Sequence, residues 1–357
     1  MNSILKSWGW NDFFERQLQE VLLENSSEVL IPARITGEDR GQYRIVEQTG
    51  KLSIAELKGA LKKNGIKPTV GDWVLGSALP GTDRMLVTHS LQRQTSLVRR
   101  ESGQEYKSQD LAANVDLVFI VTSANSDFNL RRIERFLALI AQGGAQSAVV
   151  LSKTDLAENV DSFVDSLKTL RMKFPICPVS LVENSGLERV KELCLPGTTV
   201  ALIGASGVGK SSLVNALGEA NFQAVNPIQD NEKGRHTTTG RSLFLLQSGV
   251  CLLDTPGLRE VGLWVNEETI ENLYADITQM SLQCKFTNCL HEKEPGCAIQ
   301  SAINSSQLTQ ERLEGYRKLQ AEARFFERKV NKAAATEEKK TWKKIHMSMR
   351  AKKKLEE

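Results

Sequence analysis

Residues 204–211 have the sequence GASGVGKS, and this octapeptide constrains the fold more than any other feature of the chain. It matches the phosphate-binding pattern GxxxxGK[ST], in which glycines let backbone N–H groups approach phosphate oxygens at a helix N-terminus. The apolar run TTVALI precedes it, and a helix-forming segment follows. The sequence therefore predicts an α/β domain whose nucleotide-binding residues here are Gly204, Ala205, Ser206, Gly207, Val208, Gly209, Lys210, Ser211 and Ser212.

Three segments offer groups for the phosphates and for Mg²⁺. Lys210 should reach the β- and γ-phosphates, and Ser211 should place its hydroxyl on Mg²⁺. In CLLDTPG, Asp254 ends an apolar run where its carboxylate can hold Mg²⁺ through bound water, and the N–H of Gly257 can sense the γ-phosphate. Between these motifs KGRHTTTG supplies threonines, one of which could complete the Mg²⁺ shell: Thr237, Thr238 and Thr239, of which the last two are our candidates.

A possible base-recognition loop precedes the phosphate loop by about fifty residues, in AVVLSKTD. The carboxylate of Asp155 can accept two hydrogen bonds from guanine but not from adenine, which predicts selection of GTP. Lys153 can lie along the base, next to Ser152, and PVSLVENSG supplies Ser180 and a backbone N–H near Leu181 for the guanine carbonyl. By itself KTD is more typical of a turn or a helix N-cap. Its place at a strand end, in a chain with the other two motifs, favours base recognition.

Changes in pattern along the chain predict five parts. After a helical lead-in over residues 1–28, short β-like runs over 29–100 indicate a small all-β barrel of the OB type, which often binds nucleic acid. This part carries twelve Lys/Arg against six Asp/Glu, although a purely structural barrel remains an alternative. Apolar runs alternating with helices over 101–262 indicate a parallel sheet, and 263–330 is helical. Residues 331–357 are a basic tail, which is either a solvated end or a contact for a polyanion.

Three of the six cysteines crowd around one histidine, in the pattern CxxxxCxHxxxxxC. A Cys₃His set is a closed tetrahedral zinc site with no open position for a catalytic water, so the expected role is structural. Free buried cysteines are the alternative interpretation. The predicted zinc ligands are Cys284, Cys289, His291 and Cys297, whereas Cys177, Cys194 and Cys251 fit core thiols.

The composition is that of a globular protein, with 40% hydrophobic and 25% charged residues. The longest strongly apolar stretch, VDLVFIVTSA from Val115, is far shorter than the ~20 residues of a membrane-spanning helix. The N-terminal residues lack an apolar secretory segment. We therefore expect a cytoplasmic protein without a membrane partner.

Taken together, the segments RGQYRIV, VGDWV, ANVDLVFIVTS, FNLRRIERFLAL, GASGVGKSSLVN, KGRHTTT and LLDTPG, with the cysteine cluster, resemble the RsgA family, also called YjeQ or YloQ. These are circularly permuted GTPases that depend on the small ribosomal subunit. The resemblance implies an N-terminal OB barrel, a permuted P-loop GTPase domain and a C-terminal helical zinc-binding region. It further implies a protein that binds the small subunit and its rRNA, hydrolyses GTP to GDP in late subunit maturation, and times its own release. We also expect a monomer.

Two departures from common GTPase patterns bear on this expectation. Ser152 stands where the base-recognition motif Asn-Lys-x-Asp has asparagine, and Leu258 stands where many small GTPases have a water-orienting glutamine. The resemblance implies that His236 positions the attacking water, while a solvent-exposed loop histidine is the alternative.

Two other functions also remain open. One is a nucleotide-regulated RNA-binding assembly module in which hydrolysis is incidental. The other is an ATP-dependent RNA remodelling factor, which selection of GTP through Asp155 would exclude.

Overall fold

The computed structural model describes residues 3–24, 29–39, 41–100, 108–218, 241–254, 265–325 and 328. The chain divides into two units: residues 1–98 with 110–261, and residues 99–109 with 262–357. The first unit contains an N-terminal barrel and a central, mostly parallel sheet. The second holds the cysteine cluster.

Five strands close into the predicted OB-type barrel, which the structure confirms. The strands are β1 (Ile31–Asp39), β2 (Gln42–Glu47), β3 (Leu52–Leu57), β4 (Trp73–Ala78) and β5 (Arg84–Ser90). They pair in the order β1-β2-β3-β5-β4, and β4 returns to β1. All pairs are antiparallel except β3 with β5. The short helix α3 (Gly59–Lys63) lies between β3 and β4.

The N-terminal lead-in is helical, as predicted, with α1 at Ser3–Ser7 and α2 at Asp12–Glu24. Its aromatic side chains cover Trp73 of the barrel, which is fully buried. The Trp10 ring meets the Trp73 ring edge-on at 4.8 Å between centroids, and the Phe14 ring lies 5.8 Å away. Offset and edge-on aromatic pairs add to the free energy of area burial, so the lead-in is part of the barrel core.

The central sheet consists of β8 (Leu117–Ser123), β9 (Gln146–Ser152), β10 (Ile176–Val179), β11 (Thr199–Ile203), β12 (Ser242–Leu245) and β13 (Cys251–Asp254). Its order is β10-β9-β8-β11-β13-β12, and within it only β12 runs antiparallel to its neighbour. The helices are α4 (Leu130–Gln142), α5 (Val160–Lys168), α6 (Leu187–Glu192) and α7 (Lys210–Leu217). Buried apolar side chains line both faces of the sheet, as expected of parallel strands covered by helices.

The chain reverses direction across this sheet between β8 and β11. It runs outward from β8 through β9 to β10, and then returns to the other side of β8 as β11. In open α/β sheets, ligands bind beyond the carboxyl ends of the strands at such a switch point. The loops after β8, β9 and β11 therefore border the expected ligand crevice.

The sheet continues into the barrel through β12. Gly37 of β1 pairs with Ser242, which makes one eleven-stranded sheet. The neighbouring Arg241 donates from Nη1 to the carbonyl of Asp110 at 2.8 Å. A separate two-stranded ribbon consists of β6 (Ser96–Arg100) and β7 (Ser108–Ala113).

The described part of the second unit is helical, with α8 at Glu267–Leu273, α9 at Ala275–Ser281, α10 at Ala298–Asn304 and a helix over 310–325. Arg312 is buried, pairs with both carboxylate oxygens of Asp276 at 2.7 and 2.8 Å, and lies over the Tyr274 ring. In the last of these helices Leu313, Leu319 and Ala323 are buried. Within the described ranges no helix has the length and apolarity to cross a membrane.

Candidate nucleotide-binding site and metal cluster

The phosphate loop lies between the buried strand β11 and helix α7, against the carboxyl end of β8. Three of its glycines have φ values that L-residues rarely adopt: 148° at Gly204, 78° at Gly207 and 94° at Gly209. A Cβ at Gly204 would also overlap the carbonyl oxygen of Val121. Glycine is therefore required at this position for both its conformation and the close approach of β8.

Lys210 begins α7, and its side chain folds back over the loop. The Nζ atom donates to the carbonyl oxygen of Gly204 at 2.8 Å and also to that of Ala205. Ser211 and Ser212 follow in the first turn of the helix and are exposed. A lysine ammonium and the first backbone N–H groups of a helix thus face one concave loop, which is an anion-binding arrangement.

The base-recognition segment follows β9, the neighbour of β8. Lys153 adopts a left-handed φ of 58°, and Thr154–Leu156 form a single 3₁₀ turn. This turn places Asp155 at the carboxyl end of the sheet, on the same edge as the phosphate loop. The early position of the motif in the chain therefore does not separate it from the phosphate loop in space.

Ser152 connects these two loops directly. Its buried hydroxyl lies 2.6 Å from the carbonyl oxygen of Val208 in the phosphate loop and 3.1 Å from that of Thr122 in β8. A hydroxyl has one proton to donate, so the shorter contact with Val208 is the stronger bond. The residue that departs from the common asparagine thus still ties the base-recognition strand to the phosphate loop.

Ser180 positions the carboxylate of Asp155. Its hydroxyl donates to Oδ1 of Asp155 at 2.6 Å and accepts from the backbone N–H of Glu183 at 3.1 Å. The loop is closed by two backbone hydrogen bonds between Ser180 and Ser185. Leu181 is partly buried against the apolar cluster under the sheet. Sequence reasoning placed Ser180 near the nucleotide but did not identify Asp155 as its partner.

Asp254 ends β13, next to β11, and is exposed. Its register partner in β12 is Ser242. The strand end thus presents a carboxylate on the edge of the sheet that carries the phosphate loop. The other predicted residues of this region, His236, Thr237, Thr238, Thr239, Gly257 and Leu258, lie outside the described residues.

The second unit brings all four predicted metal ligands together. The sulfur atoms of Cys284, Cys289 and Cys297 and a ring nitrogen of His291 lie within 4.8 Å of one another. The Cys284 and Cys297 sulfurs are each 3.5 Å from Nδ1 of His291 and 4.0 Å from each other. None of the six cysteines, all of which are described, forms a disulfide. This cluster could hold one metal ion.

The loop around His291 is held by polar side chains that sequence reasoning missed. The His291 carbonyl accepts from Gln300 at 2.6 Å and from Arg317 at 2.9 Å. The Glu294 carboxylate accepts from the backbone N–H groups of Leu290 and Glu292 at 2.9 and 2.8 Å. Arg317 comes from the helix over 310–325, so no local sequence pattern could have pointed to it.

The environment of His291 favours its neutral form. Burial, and secondarily the positive charge of Arg317, lower the pKa of the imidazole below its usual value. Neutral imidazole is the form that coordinates metal ions. A neutral ring can offer Nδ1, which faces the Cys284 and Cys297 sulfurs, as a metal ligand.

Comparison with known proteins agrees with this arrangement. The family model of the RsgA GTPase matches residues 90–264. The small ribosomal subunit biogenesis GTPase RsgA of Methanosarcina acetivorans is 41% identical over 282 residues, covering 79% of this chain and 76% of that protein. The protein of the same name from Streptomyces coelicolor is 38% identical over 349 residues, covering 96% and 93%.

Two solved structures share the architecture. YjeQ from Thermotoga maritima superimposes with a TM-score of 0.63 at 25% identity, covering 83% of this chain and 99% of that chain. YloQ, described as a circularly permuted GTPase, superimposes with a TM-score of 0.60 at 25% identity, covering 83% and 96%.

Proposed function

The chain belongs to the RsgA GTPase family, and from that premise we propose that it binds the small ribosomal subunit, hydrolyses GTP to GDP and phosphate late in subunit maturation, and thereby times its own release. The partners are the small subunit with its rRNA, and GTP or GDP. We place this activity in the cytoplasm and expect a monomer. The OB-type barrel over 29–100 and the basic tail over 331–357 would contact RNA phosphates. We propose that the chain has three further parts, which are the helical lead-in (1–28), the GTPase domain (101–262) and the zinc-binding region (263–330).

The GTPase assignment rests on one observation: the phosphate loop and the base-recognition loop are in direct contact at the switch point of the central sheet. Ser152, three residues before Asp155, donates to the Val208 carbonyl of the phosphate loop at 2.6 Å. A base held by Asp155 and phosphates held by the loop would therefore belong to one ligand. The hydrogen bond from Ser180 fixes the orientation of the Asp155 carboxylate. A carboxylate with a fixed orientation suits the two adjacent N–H donors of guanine.

The phosphates would be bound by backbone N–H groups of residues 204–212 and by the Lys210 ammonium. On binding, this ammonium would exchange its hydrogen bonds to the loop carbonyls for hydrogen bonds to oxygens of the β- and γ-phosphates. Mg²⁺ would be held by the Ser211 hydroxyl and, through water, by Asp254. A threonine of the segment before β12, Thr238 or Thr239, would complete its shell. When bound, Mg²⁺ neutralises charge that develops on the transferred phosphoryl group.

The cysteine cluster suits a structural zinc ion. Tetrahedral Zn²⁺ with bonds of about 2.3 Å to sulfur and about 2.0 Å to nitrogen places ligand atoms about 3.8 Å apart for two sulfurs and about 3.5 Å for sulfur and nitrogen. The corresponding distances here are 4.0 and 3.5 Å. Four protein ligands leave no position for a catalytic water, so the ion would order the loop around His291.

We assign the positioning of the attacking water to His236, and γ-phosphate sensing to Gly257. Leu258 cannot orient water, so turnover without the ribosome should be slow. His236→Ala should reduce subunit-stimulated turnover and leave the affinity for GTP unchanged. Unchanged stimulated turnover in this variant would remove the assignment.

The deciding experiment measures GTP turnover with purified small subunits, with large subunits and with neither. The proposal expects stimulation by orders of magnitude with small subunits alone, and its loss in Lys210→Ala. If GTP binds and strengthens association with the small subunit, but turnover stays at the unstimulated rate, the chain is instead a nucleotide-regulated RNA-binding module.

A further inference from the structure

Four residues form a row across four neighbouring strands, where the barrel meets the central sheet. Arg44 of β2 pairs with Gly37 of β1, Gly37 pairs with Ser242 of β12, and Ser242 pairs with Asp254 of β13. All three pairs are antiparallel, and directly opposed residues of antiparallel strands project on the same face. We call these four residues the cross-strand row.

Within the row, the side chain of Arg44 reaches over the neighbouring strand to the next one. Its Nη2 atom donates to the hydroxyl of Ser242 at 2.8 Å. A Cβ at Gly37 would overlap the Arg44 guanidinium, and the φ of Gly37 is not in the left-handed region. Glycine at position 37 therefore leaves room for the guanidinium, and a larger residue there would push this flexible side chain aside.

Holding the Arg44 guanidinium in this position leaves one of its polar atoms unpaired. The Nε atom of Arg44 is buried and has no hydrogen-bond partner among the described residues. Buried polar atoms without partners are rare, and each one calls for an explanation. The packing over Gly37 and the bond to the nearly buried Ser242 together hold the arginine in this position.

Asp254 is joined to this row on the β12 side of its strand. On its other side β13 pairs with β11, but that ladder ends at Leu253, which pairs with Ala201. Among the described residues, Ser242 is thus the register partner of Asp254. Hydrogen bonds join neighbouring strands at a spacing of about 4.8 Å, so a shift of the β12 backbone at Ser242 would shift the β13 backbone at Asp254.

We propose that Arg44 and Ser242 are positioning residues for the Mg²⁺ site, which hold the strand end that carries Asp254 in the geometry needed for metal binding. This inference rests on the proposed function, which assigns Asp254 to Mg²⁺. Arg44 lies in the barrel, and Asp254 lies in the central sheet of the same unit. A ligand that displaces Arg44 from the barrel side would therefore change the affinity for Mg²⁺ without touching the nucleotide.

The test measures the affinity of the protein for Mn²⁺, as a paramagnetic substitute for Mg²⁺, by electron paramagnetic resonance with a non-hydrolysable GTP analogue bound. The variants are Arg44→Met, which keeps the aliphatic stem, Ser242→Ala, and the two combined. Each single change should weaken Mn²⁺ binding by about three- to tenfold, which is less than the full loss of a charge-assisted hydrogen bond, because the row acts on the metal only through Asp254. The double variant should be no weaker than the worse single variant, because both changes remove the same bond.

Two further variants separate positioning from general damage. Gly37→Ala should displace the guanidinium and reproduce the effect of Arg44→Met. Arg84→Ala removes an exposed barrel arginine that pairs with Glu56 outside the row, and should leave Mn²⁺ affinity unchanged. Affinity for the GTP analogue in EDTA and the thermal midpoint should stay close to wild type in all of these variants.

Asp254→Asn provides the reference, because it should weaken Mn²⁺ binding more than any change in the row. If Asp254→Asn weakens Mn²⁺ binding while Arg44→Met and Ser242→Ala stay within twofold of wild type, the positioning role is wrong and the proposed function stands. Additive effects of the two row changes would also overturn it. If Asp254→Asn itself has no effect, the Mg²⁺ assignment fails, and the positioning role fails with it.

Discussion

Replacing Ser152 by alanine should weaken the binding of GTP and GDP equally, without changing the preference for guanine. The hydroxyl contacts the carbonyls of Val208 and Thr122, and its role is to join the phosphate loop to β9. Asp155 and its bond to Ser180 are left intact by this change. The variant therefore loosens the loop that binds phosphates but keeps the carboxylate that recognises the base.

The size of the effect follows from the burial of Ser152 and its bond lengths. A hydrogen bond between neutral groups contributes about 0.5–1.5 kcal/mol net, and a buried carbonyl left without its donor costs about 1–3 kcal/mol. Ser152 is only 9% exposed, and its bond to Val208 is short at 2.6 Å. We expect a loss of about 1–2 kcal/mol, which corresponds to a factor of about 5–30 in an equilibrium constant.

Fluorescent GTP and GDP analogues titrated into wild type and Ser152→Ala give this factor, with a thermal melt of the ligand-free protein as the measure of stability. Competition by xanthosine triphosphate in the same assay reports base selection. Ser147→Ala is the matched control, since Ser147 lies at the other end of β9 and its side chain makes no hydrogen bond within the described residues. This control should leave both affinities unchanged.

Two results would refute the reasoning. Affinities for GTP and GDP within twofold of wild type would mean that the Ser152 bond does not hold the phosphate loop. A change in the preference for GTP over xanthosine triphosphate would mean that Ser152 acts on the base, and not on the loop.

Three other changes test separate parts of the molecule. Asp155→Asn should shift the preference from GTP toward xanthosine triphosphate in a competition assay, and an unshifted preference would contradict base recognition by this carboxylate. Cys284→Ser should lower the bound zinc of the purified protein from one ion per chain, measured by mass spectrometry of the metal, and retention of a full equivalent would contradict the four-ligand site. Arg93→Ala leaves the carboxylate of Asp72 buried without its bidentate partner at 2.8 Å, and should reduce the free energy of unfolding in urea by about 3–5 kcal/mol. Arg84→Ala, in an exposed pair, should cost about 0–1 kcal/mol, and equal losses in the two variants would refute the difference in burial.

The barrel shows how far the sequence patterns extend. Four of its strands were predictable because their apolar residues are flanked by Gly, Pro and Asp. The fifth, Leu52–Leu57, has only two buried residues, Ala55 and Leu57, so the apolar pattern that marks it in the sequence is weaker. Its parallel pairing with β5 and the closure of β4 onto β1 involve residues far apart in the chain, so no local pattern could have predicted them.

In the central sheet, the sequence predicted the loops more reliably than the contacts of their side chains. In the sequence, Ser152 is visible only as a departure from the common asparagine. The structure shows that its short side chain reaches Val208, because β9 and the phosphate loop pass close together beside β8. Likewise, nothing in the sequence indicated that Ser180 donates to Asp155.

By itself, the sequence determined which chemical groups this protein has and where they stand along the chain. The phosphate loop, the KTD turn and the Cys₃His cluster are recognisable because glycine conformation, strand–loop–helix order and ligand spacing are local properties. Only the tertiary structure decided which of these groups touch. The bond from Ser152 to Val208 and the row from Arg44 to Asp254 depend on strand order and register, which are set by packing between segments distant in sequence.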